Sequence, residues 1–181
     1  MYRHAVIASL AAGLVLAAAG CGSDESPDGT PSPSPQPAVT STSPRAAAEA
    51  KAIAAYNAMW QAMAKAGEVP DPDAPELRQY ADGDALRGVV GALVTYRETG
   101  VVTRGAPVTT PRVDSVSPSD NPTQVDLVDC GDSTNWTTHK KSTGELIKED
   151  PRGRRRITAS VRLVGDTWKV NKFDAGAIGS C

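Results

Sequence analysis

The apolar residues that follow Ser43 recur at spacings of three and four, which is the pattern of amphipathic helices. The first helix is predicted to begin at Ser43-Pro44, a hydroxyl cap followed by proline, and to end at Gly67. Its apolar stripe consists of Ile53, Tyr56, Trp60 and Met63. A short second helix is predicted from a capping box at Asp73, and a third helix from Asp84 to Thr99.

Two glycines, Gly88 and Gly91, lie inside the third predicted helix. Each costs about 1 kcal/mol of helix stability relative to alanine, so a compensating role is expected. We predict that both allow a close approach between this helix and a sheet. Gly100 follows the last periodic residue and predicts the end of the helix.

From Val101 onward the chain consists of short strand-like runs separated by Pro, Gly, Asp and Asn. The predicted strands are 101–107, 112–116, 124–130, 135–140, 156–164 and 168–173. Glycine at the first central position of the 164–167 segment predicts a two-residue hairpin, with Leu163 opposite Trp168. This register makes one face of the last hairpin apolar and the other polar, as in an antiparallel sheet with one buried face. The apolar face consists of Ile157, Ala159, Val161, Leu163, Trp168 and Val170.

The N-terminus has the pattern of an export signal, with a short basic start and a largely apolar run from Ala5 to Ala19. This run is shorter than the roughly twenty residues that a membrane-spanning helix needs. The segment from Leu16 to Cys21 resembles a bacterial lipobox, in which the cysteine thiol is acylated and the signal is cut before it; Ala18 departs from the usual leucine. We expect 1–20 to be a signal peptide and Cys21 a lipidation site that anchors the protein at the outer face of the cell membrane. Simple secretion with a free thiol is the alternative.

Residues 21–44 are rich in Ser, Pro and acidic side chains and contain almost nothing apolar, which predicts a disordered linker. The composition changes at Arg45, and residues 45–181 have the size of one ordinary domain. Three helices followed by antiparallel strands predict an α+β fold, in which the N-terminal helices pack on a curved antiparallel sheet.

The chain has 19 basic and 21 acidic side chains, a net charge of −2, and loss of residues 1–20 would remove one arginine and make it 18 − 21 = −3. Such mild acidity does not favour nucleic acid as a partner. The one strong charge cluster, residues 152–156, is predicted to be a solvated loop that Glu145, Glu149 and Asp150 partly neutralise. Contact with anionic headgroups or wall polymers is the alternative.

Cys130 and Cys181 are the two cysteines that remain once Cys21 carries lipid, and an exported protein folds in an oxidising compartment. We predict a disulfide between them. A metal pair or a reactive thiol is the alternative, but no histidine or third cysteine lies near enough in sequence to complete a site. No metal and no cofactor are expected.

The order of elements carries a resemblance to a known family. The opening helix with Tyr56 and Trp60, the strand end at 125–132 and the closing hairpin at 165–170 resemble the nuclear transport factor 2-like, or cystatin-like, roll. They are similar in particular to exported lipoproteins of that superfamily in high-GC Gram-positive bacteria. The resemblance implies an α+β roll with a cone-shaped cavity. It does not imply an activity, because the family contains dehydratases, isomerases and polyketide cyclases beside many non-catalytic domains.

His139 is the one histidine after residue 20 and lies in a polar run, which predicts a surface position. The functional alternative places it in the cavity beside Asp126 or Asp129 as a general base. No residue is assigned a catalytic role. The aromatic residues either fill the core or line a cavity that holds a small apolar ligand. The candidate lining residues are Tyr56, Trp60, Tyr96, Trp136 and Trp168.

These observations predict a lipid-anchored, non-catalytic binding or protein-interaction module of the bacterial cell envelope. One alternative is a small-molecule binder, or an isomerase-like or dehydratase-like enzyme, that uses the cavity; it predicts an open pocket containing at least one buried ionisable group. The other is an interfacial domain, with an envelope protein as partner or as a homodimer through its outer sheet face; it predicts a filled cavity and an exposed apolar patch.

Overall fold

The structure is a computed structural model that describes residues 43–181. The predicted signal peptide, the lipidation site at Cys21 and the linker up to residue 42 lie outside the described residues. The helices are α1 (Pro44–Glu68), α2 (Pro75–Tyr80) and α3 (Gly83–Thr99). The strands are β1 (Val101–Arg104), β2 (Arg112–Ser117), β3 (Gln124–Asp132), β4 (Thr137–Lys140), β5 (Arg154–Val164) and β6 (Thr167–Ala175).

The strands form two antiparallel sheets. The larger sheet has the order β2-β3-β5-β6, and β1 pairs with β4 in a separate two-stranded sheet. Helix α1 packs on β6 and also contacts β1, β2, β3 and β5, while α3 packs on β6 and β1. The predicted α+β class, with N-terminal helices on antiparallel sheet, is therefore confirmed.

Helix α1 begins as the sequence predicts. The Ser43 hydroxyl accepts a hydrogen bond from the backbone N–H of Ala46 at 3.2 Å, and Pro44 is the first helical residue. Tyr56, Trp60 and Met63 of the predicted stripe are buried against the sheet. Several alanines of α1 are buried beside them, and their small side chains allow the helix to lie close to the strands.

Helix α2 does not begin with the predicted capping box. Its N-cap residue is Ala74, whose side chain provides no hydrogen bond, and Pro75 is the first helical residue. The Asp71 carboxylate instead accepts a hydrogen bond from the backbone N–H of Asp73 at 3.0 Å. This local turn positions the chain between α1 and α2 without a side-chain cap on the helix.

The predicted β5–β6 hairpin register is confirmed. Leu163 lies opposite Trp168, and Gly165 has a φ of +59°, a conformation that suits glycine in a tight hairpin turn. The predicted apolar face is buried at five of its six positions. Leu163 is the exception at 37 % exposure, because it lies at the hairpin end of the sheet beside the equally exposed Val164.

Neither glycine of α3 makes the tight helix-to-sheet contact that the sequence predicted. A side-chain carbon at Gly88 would have Phe173 as its nearest neighbour at 3.9 Å, which is an ordinary contact, and one at Gly91 would meet nothing within 4 Å. The close approach occurs instead at Gly67 of α1, where an added carbon would collide with the side chain of Thr103. Gly88 and Gly91 thus leave space beside α3, and for Gly88 this space belongs to a cavity.

Residues 43–181 belong to one compact unit. It has a continuous hydrophobic core made by all three helices and the larger sheet. A unit of this size with its own core meets the criterion for a domain that folds independently. None of the helices in this unit is both long enough and apolar enough to span a membrane.

Candidate functional site

A cavity of about 350 Å³, partly open to solvent, lies between α1, α3 and the two sheets. Its volume is at the lower end of the roughly 300–1,000 Å³ typical of small-molecule sites. The apolar part of its wall consists of Trp60, Met63, Val89, Ala92, Tyr96, Pro107, Trp136, Pro151, Ile157, Phe173 and Ala175, with Gly88 and Gly131 beside them. The polar part consists of Thr103, Thr109, Ser133, Thr138, Asp150, Arg152 and Arg155. Such a wall can enclose the apolar part of a ligand and make a few hydrogen bonds to its polar part.

Three of the five predicted lining residues, Trp60, Tyr96 and Trp136, belong to this wall. Trp60 is central, with its ring 6.2 Å from that of Trp136 in an edge-to-face arrangement and 5.1 Å from that of Phe173. Trp60 lies on α1, Trp136 immediately before β4, and Phe173 on β6. Together their rings form one aromatic side of the cavity.

The other two predicted lining residues lie outside the wall. Tyr56 is fully buried one turn before Trp60, because its hydroxyl reaches into the core to bond Asp129. Trp168 is 7 % exposed and lies at the hairpin end of the sheet, opposite Leu163. Both are therefore core residues. A place in the core was one of the two positions that the sequence allowed for the aromatic side chains.

Phe173 lines the cavity although strict alternation along β6 predicts the opposite face. Trp168 and Val170 alternate inward, but the register shifts after Val170, so that Phe173 pairs with the buried Ala159. This irregularity inserts one extra residue, Asn171, and returns the phenyl ring to the buried face. A bulge of this kind depends on pairing with β5, and the sequence of β6 contains no clear signal for it.

Three buried polar atoms in residues that line the cavity have no hydrogen-bond partner among residues 43–181: Trp60 Nε1, Thr103 Oγ1 and Trp136 Nε1. The Trp60 indole N–H lies near the Tyr56 hydroxyl without hydrogen-bond geometry, and the Thr103 hydroxyl lies against Gly67 of α1. Buried polar groups are almost always paired, and an unpaired one costs about 1–3 kcal/mol. These atoms are buried in the packing beside the cavity and are not exposed in its open volume.

The basic cluster is not the solvated loop that the sequence predicts. Residues 154–156 begin β5, and alternation along the strand places Arg155 on the same face as the buried Ile157. Arg154 and Arg156 are exposed, whereas Arg152 and Arg155 are half-buried and line the cavity. Arg155 lies two residues before the buried Ile157. Alternation of buried positions, carried back from Ile157, would therefore have predicted from the sequence that Arg155 faces inward.

Among the described residues, no ion pair joins the basic cluster to Glu145, Glu149 or Asp150, although Asp150 lies in the same cavity wall as Arg152 and Arg155. Glu145 pairs with Lys140 at 2.8 Å, and the Asp150 carboxylate accepts a hydrogen bond from the Thr138 hydroxyl at 2.8 Å. None of the ion pairs formed within residues 43–181 includes Arg152 or Arg155. The cavity wall therefore contains two guanidinium groups without a carboxylate partner in the described part of the chain.

Asp129 is the one carboxylate buried in the core among the described residues, with 4 % exposure. It accepts hydrogen bonds from the Tyr56 hydroxyl at 3.0 Å and from the backbone N–H of Thr110 at 2.8 Å. Burial, and then the negative charge of Asp129, raise the pKa of Tyr56 far above its usual value. Burial, and then Asp150, also raise the pKa of Tyr96 in the cavity wall. Both phenols are therefore neutral donors at neutral pH.

The raised pKa of Tyr56 predicts a loss of stability in alkali. Below about pH 10, the reference pKa of tyrosine, the phenol is protonated in both folded and unfolded chains, and its contribution is fully present. Above it only the unfolded chain ionises, so each such group lowers the free energy of unfolding by about 1.4 kcal/mol per pH unit. Urea unfolding between about pH 8 and 11 is expected to show a shallower alkaline decline for Tyr56→Phe than for the wild type. Equal slopes would contradict the assignment.

His139 lies on β4, away from the acids of the catalytic alternative. Its Nδ1 is 3.0 Å from the carbonyl oxygen of Gly144 and its Nε2 is 2.9 Å from the Thr137 hydroxyl. It is not among the residues that line the cavity. Asp126, the other proposed partner, instead accepts bonds from Ser115 and Ser160 in the larger sheet. Nothing in this geometry brings an imidazole to the cavity.

Cys130 and Cys181 are joined by a disulfide with an S–S distance of 2.02 Å, as the sequence predicted. The backbone N–H groups of Gly176 and Gly179 donate to the carbonyls of Arg156 and Arg154, so the C-terminal tail runs along the start of β5. The tail and the disulfide thus hold the strand segment that carries Arg155. Residues 43–181 contain no group of three or more His, Cys, Asp or Glu side chains arranged to hold a metal ion.

No protein-family model matches the chain, and neither does any curated protein sequence. Among solved structures, the crystal structure of the intermembrane space region of the chloroplast protein ARC6 aligns with a TM-score of 0.47 and 14 % sequence identity. The alignment covers 71 % of this chain and 96 % of that chain. A likeness of this degree carries no argument about function.

Proposed function

We propose that residues 43–181 form a small-molecule-binding domain that holds its ligand in the cavity between the helices and the sheets. The observation that carries the proposal is the cavity itself, which is partly open and combines an apolar aromatic wall with a few polar and charged side chains. A concave site with a few directed polar contacts is the usual form of a small-molecule site. Of the alternatives that the sequence left open, this one predicted an open pocket with at least one buried ionisable group; the ionisable side chains of this wall are half-buried.

Binding without catalysis is the form of the proposal that the residues support. The ionisable side chains of the wall are Tyr96, Asp150, Arg152 and Arg155. The raised pKa of Tyr96 leaves it a poor base at neutral pH, and Asp150 is held by the Thr138 hydroxyl. A docking role has less support. The large apolar side chains that are exposed among the described residues, such as Val69, Val108 and Val164, lie in separate segments of the chain.

The cellular setting is part of the same proposal. The sequence supports an export signal in residues 1–20, acylation of Cys21 and a Ser- and Pro-rich linker. A diacylated cysteine anchors a protein stably, because each buried methylene contributes about 0.8 kcal/mol. We therefore propose a binding domain that is tethered to the outer face of the cell membrane. We also propose the nuclear transport factor 2-like roll as its architecture, on the order of its elements.

Gly88→Leu and Gly91→Leu form a matched test of the binding site. Both exchange a glycine of α3 for a better helix former, but only Gly88 lines the cavity, whereas a side chain at Gly91 meets nothing within 4 Å. The neutral aromatic probe 1-naphthylacetamide is expected to bind residues 43–181 with a dissociation constant below about 1 mM, or about −4 kcal/mol. Gly88→Leu is expected to weaken this binding about tenfold or more, while Gly91→Leu leaves it unchanged.

The three tryptophans of the chain provide the readout. In ¹H–¹⁵N correlation spectra the indole signals of Trp60 and Trp136, which line the cavity, are expected to move on titration, and that of Trp168 to stay in place. Equal movement of all three signals, or equal weakening by both glycine variants, would place the probe elsewhere and contradict the proposed function.

A further inference from the structure

We infer that the ligand of this cavity is a small amphipathic anion, with an aromatic or apolar body among the rings and one carboxylate-like or phosphate-like group at Arg152 and Arg155. The inference rests on the proposed function and specifies its ligand class. It follows from three features of the wall: the position of the two arginines, the engagement of the other polar groups within the protein, and the extent of the apolar surface.

The two arginines provide the charge. Each is half-buried in the cavity wall and has no carboxylate partner within residues 43–181. Asp150 is the one acidic residue of the wall, so the wall has a formal excess of one positive charge. Asp150 is already engaged by Thr138, and a partly desolvated guanidinium without an anion is unfavourable. An anionic ligand group corrects this imbalance through charge-assisted hydrogen bonds.

The hydroxyl groups of the wall are engaged within the protein. Thr109 donates to Asn57, Ser133 to the Gly153 carbonyl and Thr138 to Asp150. The guanidinium groups of Arg152 and Arg155 make no hydrogen bond or ion pair within residues 43–181, and a guanidinium only donates. A ligand that brings acceptor oxygens is therefore complementary to this wall, whereas a cation or a pure hydrocarbon leaves these donors unpaired.

The apolar surface defines the rest of the ligand. Trp60, Phe173 and Trp136 form one aromatic side, and Met63, Val89 and Ile157 complete the interior. A cavity of about 350 Å³ has the size for one bicyclic ring or a short chain and is too small for a whole two-chain lipid. The expected ligand is thus an aromatic or short-chain acid, or a monoester of similar size.

Three probes with the same ring test the charge. These are 1-naphthylacetate, 1-naphthyl phosphate and the neutral 1-naphthylacetamide, each titrated calorimetrically into residues 43–181. At least one anion is expected to bind about tenfold more tightly than the amide, the difference that one charge-assisted contact of about 1.4 kcal/mol provides. The carboxylate and phosphate arms distinguish which anionic group the arginines favour.

Substitutions along β5 supply a matched control. Arg155→Gln is expected to reduce the preference for the anion over the amide to within about twofold, because a charged contact is lost. Arg154→Gln and Arg156→Gln remove the same charge from exposed positions of the same strand and are expected to keep the preference. Arg155→Lys, which retains the charge, is expected to restore part of it, and its spectrum reports whether the fold is intact.

The outcomes separate this inference from the proposed function. If the amide binds with shifts at Trp60 and Trp136, and neither anion binds more tightly, the anionic ligand class is wrong and the binding site stands. If the preference is lost equally with Arg154→Gln, the anion is bound by general surface charge and the inference is overturned. If no probe binds at about 1 mM, the proposed function fails as well.

Discussion

Asp129→Ala is expected to lower the free energy of unfolding by about 2–3 kcal/mol. The substitution removes the acceptor of the buried Tyr56 hydroxyl and of the partly buried backbone N–H of Thr110. An unsatisfied buried donor costs about 1–3 kcal/mol, and release of a buried carboxylate from the core offsets part of the total. Urea unfolding of residues 43–181, followed by circular dichroism, measures the loss.

Asp126 provides the matched control, because it lies on the same strand and also accepts side-chain hydrogen bonds, from Ser115, Gln124 and Ser160. It is half-exposed, so its donors turn to water when the carboxylate is removed, and Asp126→Ala is expected to cost less than about 1 kcal/mol. Equal losses for the two variants would contradict the role of Asp129 as a buried acceptor.

A double-mutant cycle tests whether Tyr56 and Asp129 act as one unit. Tyr56→Phe combined with Asp129→Ala is expected to cost clearly less than the sum of the two single losses, because the second substitution removes a group that has already lost its partner. Additive losses would show that the two side chains stabilise the core independently.

Removal of the disulfide is expected to have the largest effect. Cys130 and Cys181 are 51 residues apart, and opening a loop of this length in the unfolded chain costs about 4 kcal/mol in the chain-entropy model. The double variant Cys130→Ala/Cys181→Ala is expected to lose this amount in urea unfolding. It is also expected to free the tail that Gly176 and Gly179 hold against β5.

Reduction of the wild type provides an independent check on the disulfide. Dithiothreitol is expected to lower the stability of the wild type to that of the double variant and to leave the double variant unchanged. Faster amide exchange in the tail and at the first residues of β5 is expected in both cases, because the same hydrogen bonds are released. A loss below about 1 kcal/mol would mean that the sheet and tail persist without the covalent link.

The elements that the sequence predicted correctly depend on neighbouring residues. The start of α1 follows from a hydroxyl cap and a proline, and the β5–β6 register follows from a glycine with positive φ in a two-residue turn. The prediction that Cys130 pairs with Cys181 needed only an expected export signal and the assignment of the third cysteine, Cys21, to lipid. Each of these signals acts over a few residues or is a matter of counting.

Parts of the candidate site were also visible in the sequence. Trp60, Tyr96 and Trp136 were candidates for a cavity wall and belong to it, but the same reasoning included Tyr56 and Trp168, which lie in the core. An aromatic side chain in the core and one at a cavity have the same spacing along a helix or strand. The difference depends on what stands opposite, such as the buried carboxylate that accepts the hydroxyl of Tyr56.

The sequence alone determined the α+β class, the capped first helix, the closing hairpin and the disulfide, because local turn chemistry, hydrophobic periodicity and cysteine count specify them. Only the tertiary structure decided that a register shift turns Phe173 inward, that Arg155 faces the cavity without a partner, and that Gly88 leaves space beside α3. These features depend on pairing between strands and on packing between elements distant in sequence. A cavity is the volume that such packing leaves unfilled, and no local pattern of residues encodes it.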